Sequence, residues 1–415
     1  MLLVTGCGSP QLQPSATVSA PPGTPRAQPT AAPDATAEPQ PTEAPSTAAP
    51  AGLTFESLTF GDSAGPSKVT AMTPFGTGLI AVGMSYDEAL PIPLGPVPPH
   101  VGRIWTSADG RSWEDVTPRA LFANVGLTDI IQRSDGTLLA IGDVSDLNEY
   151  GEAQVQSTGA WESSDGVAWE VADTGLPADR WVRDFVQGDK GIIAVAWQVG
   201  DTHGSELWFS SDGRAWERIR HLAHGNLSTD AGTEGFVAVG SWDPYVQAAG
   251  SFAIASADGR EWFEAADPPG APTGLAALGG DWVAVSSNED VEEGWITIST
   301  SANGLDWSSP IPVEADEVRT RIDDESGCWL VPSLLSADDW LILRTFRGGL
   351  CGEGNAMTFG PHLARAESGD WQALPLAARD GDGRGAWVAA AEVIDEALVL
   401  AGESNGRATF WWAEE

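Results

Sequence analysis

TSADGRSW at 106–113 is met again as ESSDGVAW at 162–169, FSSDGRAW at 209–216, ASADGREW at 255–262 and TSANGLDW at 300–307. The closing tryptophans stand 56, 47, 46 and 45 residues apart, and ESGDW, ending at Trp371, keeps a shortened form of the same ending. Self-similarity at a period near fifty residues marks an array of like supersecondary units. Each copy reads as a turn. The Ser and Asp side chains can accept backbone N–H groups within the loop, and the Gly takes the positive φ of a tight hairpin. The Trp that follows offers a large apolar face to a neighbouring sheet.

Ahead of each turn lies a short apolar run bounded by Gly, Asp and Ser: GLIAVG at 78–83, GTLLAIG at 136–142, GIIAVA at 191–196, GFVAVG at 235–240, DWVAVS at 281–286, DWLILR at 339–344 and EALVLAG at 396–402. Such runs read as buried strands. The first unit fills in as four of them, at 68–72, 78–83, 103–107 and 113–116. Four-stranded units stacked radially cover each other's faces and leave only short edges, which is a β-propeller. Seven runs give seven blades. The last unit ends RATFWWAEE, a third strand with no fourth, while LTFESLTF at 53–60 is a strand with no unit of its own. The expected fold is therefore all-β, a seven-bladed propeller over 52–415 in which an N-terminal strand completes the last blade.

The recurring W/F-x-S-x-D-G-x-x-W resembles the Asp-box, or BNR repeat, of sialidase-like propellers. Here Asp and Gly are adjacent, where the usual box has a residue between them, and Asn303 replaces Asp in the fifth copy. The resemblance implies a structural role for Ser107, Asp109, Trp113, Asp165, Trp169, Asp212, Trp216, Asp258, Trp262, Asn303 and Trp307, on the face opposite any active site. A sialidase would add three converging arginines, an Arg-Ile-Pro element and a late tyrosine nucleophile paired with a glutamate. The chain has no Arg-Ile-Pro, and its three tyrosines, Tyr86, Tyr150 and Tyr245, follow second strands early in the ring. No catalytic residue is carried over.

The chain opens MLLVTGCGS, in which Val4-Thr5-Gly6-Cys7 resembles a bacterial lipobox. The resemblance implies a truncated or short signal over 1–7, lipidation at Cys7 and an extracytoplasmic, membrane-anchored protein. Residues 8–51 are rich in Pro, Ala and Thr with little to bury, the composition of a disordered tether. Cys328 and Cys351 remain as an even pair at the ends of an expected hairpin, so a disulfide is expected in an oxidising compartment.

Lys and Arg number 21 against 59 Asp and Glu, a formal charge of −38 over 415 residues. So acidic a surface cannot displace phosphate counterions, which argues against nucleic acid. It also disfavours an anionic membrane as partner, leaving a lipid at Cys7 as the one membrane contact. The expected partner is a glycan or protein, and the expected state a monomer.

Loops on a rigid scaffold carry function. Trp197 and Trp242 stand at second-strand exits with Tyr245 close behind, Tyr86 holds the like place in the first unit, and Asp129, Arg183 and Asp184 are polar positions on innermost strands. An aromatic and polar sector of this kind can stack on and hydrogen-bond a ligand. No cofactor is expected. Asp380 and Asp382 form an oxygen-rich turn that could take calcium, and His203, His221 and His224 are a weaker metal set. A rival reading is a glycoside hydrolase working through paired carboxylates.

Overall fold

In a computed structural model the chain separates into two units, Met1–Pro50 and Ala51–Glu415. The structure describes residues 54–414 except 61–65, 87–98, 148–152, 177–179, 199–203, 223–225, 242–250, 266–270, 289–294, 314–327, 350–357, 360–362, 367–369, 375 and 377–385. Cys7, the tether, Trp242, Tyr245, Tyr150, His203, His224, Cys351, Asp380 and Asp382 thus lie outside the described residues.

The second unit is an all-β propeller of seven antiparallel sheets. The innermost strands are Ser67–Phe75, Val125–Gln132, Arg180–Gly188, Asn226–Gly232, Ala271–Leu278, Cys328–Ala337 and Ala386–Ile394, in blades 1 to 7. Their second strands contain the seven apolar runs quoted above. Six blades have four strands; blade 6 has a fifth, Thr358–Phe359, paired to the far end of Trp340–Gly349. In blade 7 the outermost strand is Glu56–Thr59, aligned with Trp412 to Thr409 of the chain's last strand, so the ring closes between chain ends.

Strands of blade interiors are apolar on both faces because each sheet is sandwiched between two others. The core accordingly divides into seven separate layers, one per blade boundary. Between blades 1 and 2, for example, Ile80, Val82 and Ile104 meet Leu127, Leu138, Ala140 and Trp161. Each fully buried Ile, Leu or Val contributes about 1.5–3 kcal/mol relative to exposure.

The repeated turns lock these layers. In the first, Asp109 Oδ1 accepts from the Arg111 and Ser112 amides at 2.9 and 2.7 Å, and lies 3.1 Å from Ser107 Oγ. Those bonds, above all the one from Ser112, hold its carboxyl down to about 2. The turn glycines all have positive φ, between 70° and 78°. They also sit against the preceding blade, where a Cβ on Gly110 would meet Val399 at 2.7 Å and one on Gly304 would meet Val237 at 2.3 Å. Trp113, Trp169, Trp262 and Trp307 each donate Nε1–H to the carbonyl of their own turn glycine, at 3.0–3.1 Å. Trp216 does not; Gly213 O is taken by Arg133 Nη2 of blade 2 at 2.9 Å, and the Trp216 ring stacks on Phe185 instead.

Candidate functional site at the channel mouth

The innermost strands ring a central channel. Five of them, in blades 1, 2, 3, 5 and 7, carry one extra residue at a matching place: Thr70, Thr128, Arg183, Thr273 and Ala389. A bulge re-aims the side chain beside it and frees backbone groups from the ladder. Inner-strand hydrogen bonds then pass between blades. Thr70 Oγ1 donates to Leu127 O at 2.8 Å, Thr273 Oγ1 to Pro332 O at 2.6 Å, and Arg344 Nη1 to Val388 O and Ala389 O, both at 3.2 Å.

Two aspartates make the same kind of clasp. Asp129 accepts from its neighbour Ile130 N at 2.7 Å and across the blade boundary from Phe185 N at 2.6 Å. Asp230 accepts from Ala231 N at 2.7 Å and from Ala277 N of blade 5 at 2.8 Å. Asp184 lies between them. It is solvent-exposed at the channel, with protein packed densely around it. Burial, then the charge of Asp230, pushes its carboxyl up to about 7. Burial lifts Asp230 to about 6 and holds Asp129, hydrogen-bonded to Asp184, well above the usual range. Arg344 is pulled down to about 10 by burial, against the opposing charge of Asp184.

A second polar group forms the mouth at the end where innermost strands begin. Trp181 and Trp197 are direct cross-strand partners in blade 3 and therefore share one face. The Arg183 guanidinium lies over both rings, 5.9 and 5.3 Å from their centres. Trp197 is half-buried, its Nε1 donating to Ser205 Oγ at 2.7 Å. Across the boundary in blade 2, Asp143 Oδ2 is 3.8 Å from Arg183 Nη1. Burial raises the Asp143 carboxyl, and the charges of Arg183, His100 and Lys68 act against that rise. Tyr86 of blade 1 packs edge-on to His100 at 6.3 Å, and its phenol donates to Met84 Sδ at 3.5 Å. Burial, then Glu403, raises the Tyr86 hydroxyl.

The structure thus brings Arg183 and Trp197 together at the mouth and pairs Asp129 with Asp184 deeper in the channel. Tyr86 stands one blade further round. Trp181, Asp143 and Arg344 were not singled out in the sequence. The alternation of WVRD at 181–184 with WQ at 197–198 was the available signal, since it places two tryptophans at the open end of one hairpin.

Neither a protein-family model nor a curated protein sequence matches the chain. Solved structures share the propeller fold. The β-propeller domain of the Trilobed protease from Pyrococcus furiosus matches at 12% identity over 84% of this chain and 95% of that one, with a TM-score of 0.46. The α-L-arabinanase of Penicillium chrysogenum, complexed with arabinobiose, matches at 13% over 88% and 99%, TM-score 0.45. An exo-β-1,3-galactanase of Phanerochaete chrysosporium matches at 10% over 85% and 78%, TM-score 0.38.

Proposed function

We propose that this propeller is an extracytoplasmic binding module that holds a glycan or protein ligand at the channel mouth. The supporting observation is the guanidinium of Arg183 stretched over Trp181 and Trp197 beside Asp143. Flat apolar faces next to charged hydrogen-bonding groups at the open end of a rigid ring suit recognition. Cys7 is the proposed lipid attachment, residues 8–51 the tether, and Cys328 with Cys351 the proposed disulfide. The repeated turns serve as Asp-box-type structural elements on the opposite face. A glycan array probed with the wild-type chain and with Trp197→Ala tests the reading: signals on a restricted set of glycans should fall at least tenfold in the variant. Equal signals from both proteins would place binding elsewhere.

The rival reading, a glycoside hydrolase, draws on Asp184, a channel carboxyl that keeps its proton near neutral pH. Its nearest acid does not serve as partner. Asp129 is hydrogen-bonded to it, whereas hydrolysis of glycosides needs carboxyls about 5 Å or more apart. Release of reducing sugar or aglycone from sialosides, arabinans or galactans, abolished in Asp184→Asn, would establish the rival.

A further inference from the structure

The mouth carries an unused set of hydrogen-bonding atoms. Asp143 Oδ1 and Trp181 Nε1 are closed to solvent and have no partner among the described residues. Leaving a buried polar group unpaired costs about 1–3 kcal/mol, so such atoms call for an explanation. Arg183, the exposed member at 42% side-chain exposure, makes no hydrogen bond to any described residue; it only overlies the two rings and approaches Asp143. Contrast Arg133, Arg180, Arg218 and Arg260, each ion-paired within 3.2 Å. One acceptor and one indole donor therefore gather beside a half-exposed guanidinium that is held by stacking and one long ion pair, not by hydrogen bonds.

We infer that this cluster is a subsite for a neutral, hydroxyl-rich sugar, with Arg183 turning off the indoles as the ligand enters. The inference rests on the binding reading above and names its ligand class. A pair of neighbouring hydroxyls both donates and accepts, which matches Asp143 Oδ1 on one side and Trp181 Nε1–H with Arg183 on the other. The uncovered indole faces take the apolar face of a pyranose or furanose ring. The net acidity of the whole chain disfavours an acidic sugar. A ligand carboxylate would meet Asp143 in a chain of formal charge −38. Lys68, Arg183 and His100 act on Asp143 with the opposite sign.

Calorimetric titration of the full chain with neutral gluco-, galacto-, manno- and arabino-tetrasaccharides, and with trigalacturonate, tests this. At least one neutral sugar should bind. Trp181→Phe, which keeps the ring and loses the donor, and Asp143→Asn and Arg183→Gln should each weaken it about 5- to 30-fold, the loss expected for one or two hydrogen bonds. Trp371→Phe, in another blade, should leave it unchanged, and unaltered melting temperatures would show that the variants fold. Tighter binding of trigalacturonate, lost in Arg183→Gln, would overturn the neutral-sugar class and leave the mouth as a binding site. Neutral-sugar binding unmoved by all three mouth variants would overturn both. No sugar binding at millimolar concentration would overturn the inference and leave a protein ligand for the mouth.

Discussion

At the scale of single residues, the repeated turn answers two demands with one glycine. It must adopt a left-handed backbone, and it must leave room for the side chains of the preceding blade. Gly304 shows both, with φ at +70° and Val237 Cγ2 2.3 Å from where a Cβ would stand. Gly304→Ala should therefore cost more than the roughly 1–2 kcal/mol of the backbone conformation alone, measured by denaturant unfolding. Trp113 is the more costly loss. It is buried, stacked on Phe410 of blade 7 at 3.9 Å, and bonded to Gly110 O, so Trp113→Ala should remove about 3–5 kcal/mol. The turn was legible because Ser, Asp, Gly and Trp recur at fixed spacing. The exception at Trp216 was not, since it depends on Arg133, 83 residues away in the chain but adjacent across the blade boundary.

At the scale of elements, the innermost strands are where sequence reading stops. Their polar residues could be listed, but a bulge shifts which of them face the channel, and its position follows from how seven twisted strands converge on an axis. Arg183 is such a residue, and its neighbour Trp181 gains meaning only once Trp197 is known to lie opposite. The same strands make stability depend on pH. Asp184 and Asp230 have folded values of about 7 and 6, above the ordinary 3.8, so the folded state binds more protons through that window. Their contribution is fully present below about pH 4 and is lost as pH rises through 6 and 7. Asp109 and Asp135, held down to about 2, act in the opposite sense and lose theirs below about pH 4. The melting temperature should thus be highest near pH 4, fall between about pH 4 and 7, and level off above that. Asp184→Asn should flatten the decline between about pH 4 and 7; an unchanged slope would show that Asp184 is not its source. Outer strands, by contrast, are short: five of those completing blades 1 to 6 have two residues each, as in Glu114–Asp115 and Glu170–Val171, which limits pairing with other chains.

For the whole molecule, the arithmetic of seven second strands against a missing final strand was enough to anticipate both blade number and closure. What it could not supply is the site, because the mouth is assembled from residues of blades 1, 2 and 3 that share no sequence pattern. Closure is also testable. Glu56–Thr59 covers the edge of the last strand, while Leu58 and Phe60 join the layer formed by Trp105, Val399 and Phe410. A chain beginning at Ser67 should lose that cover, melt at a lower temperature and associate through its open edge in size-exclusion chromatography. Unaltered melting and monomeric elution would mean that blade 7 stands on three strands.

That short closing strand also decides how the ring responds to being pulled. It follows the first fifty-five residues, and it is joined to the rest by a four-residue ladder, a hydroxyl contact between Thr59 and Thr409 at 3.2 Å, and the packing of Leu58 and Phe60. Tension applied through the leading segment meets the Phe55 side chain, packed in the layer between blades 6 and 7, and then this ladder. The strand is thus an early link in a mechanical series, and its release would leave the six other blades with their full complement of strands.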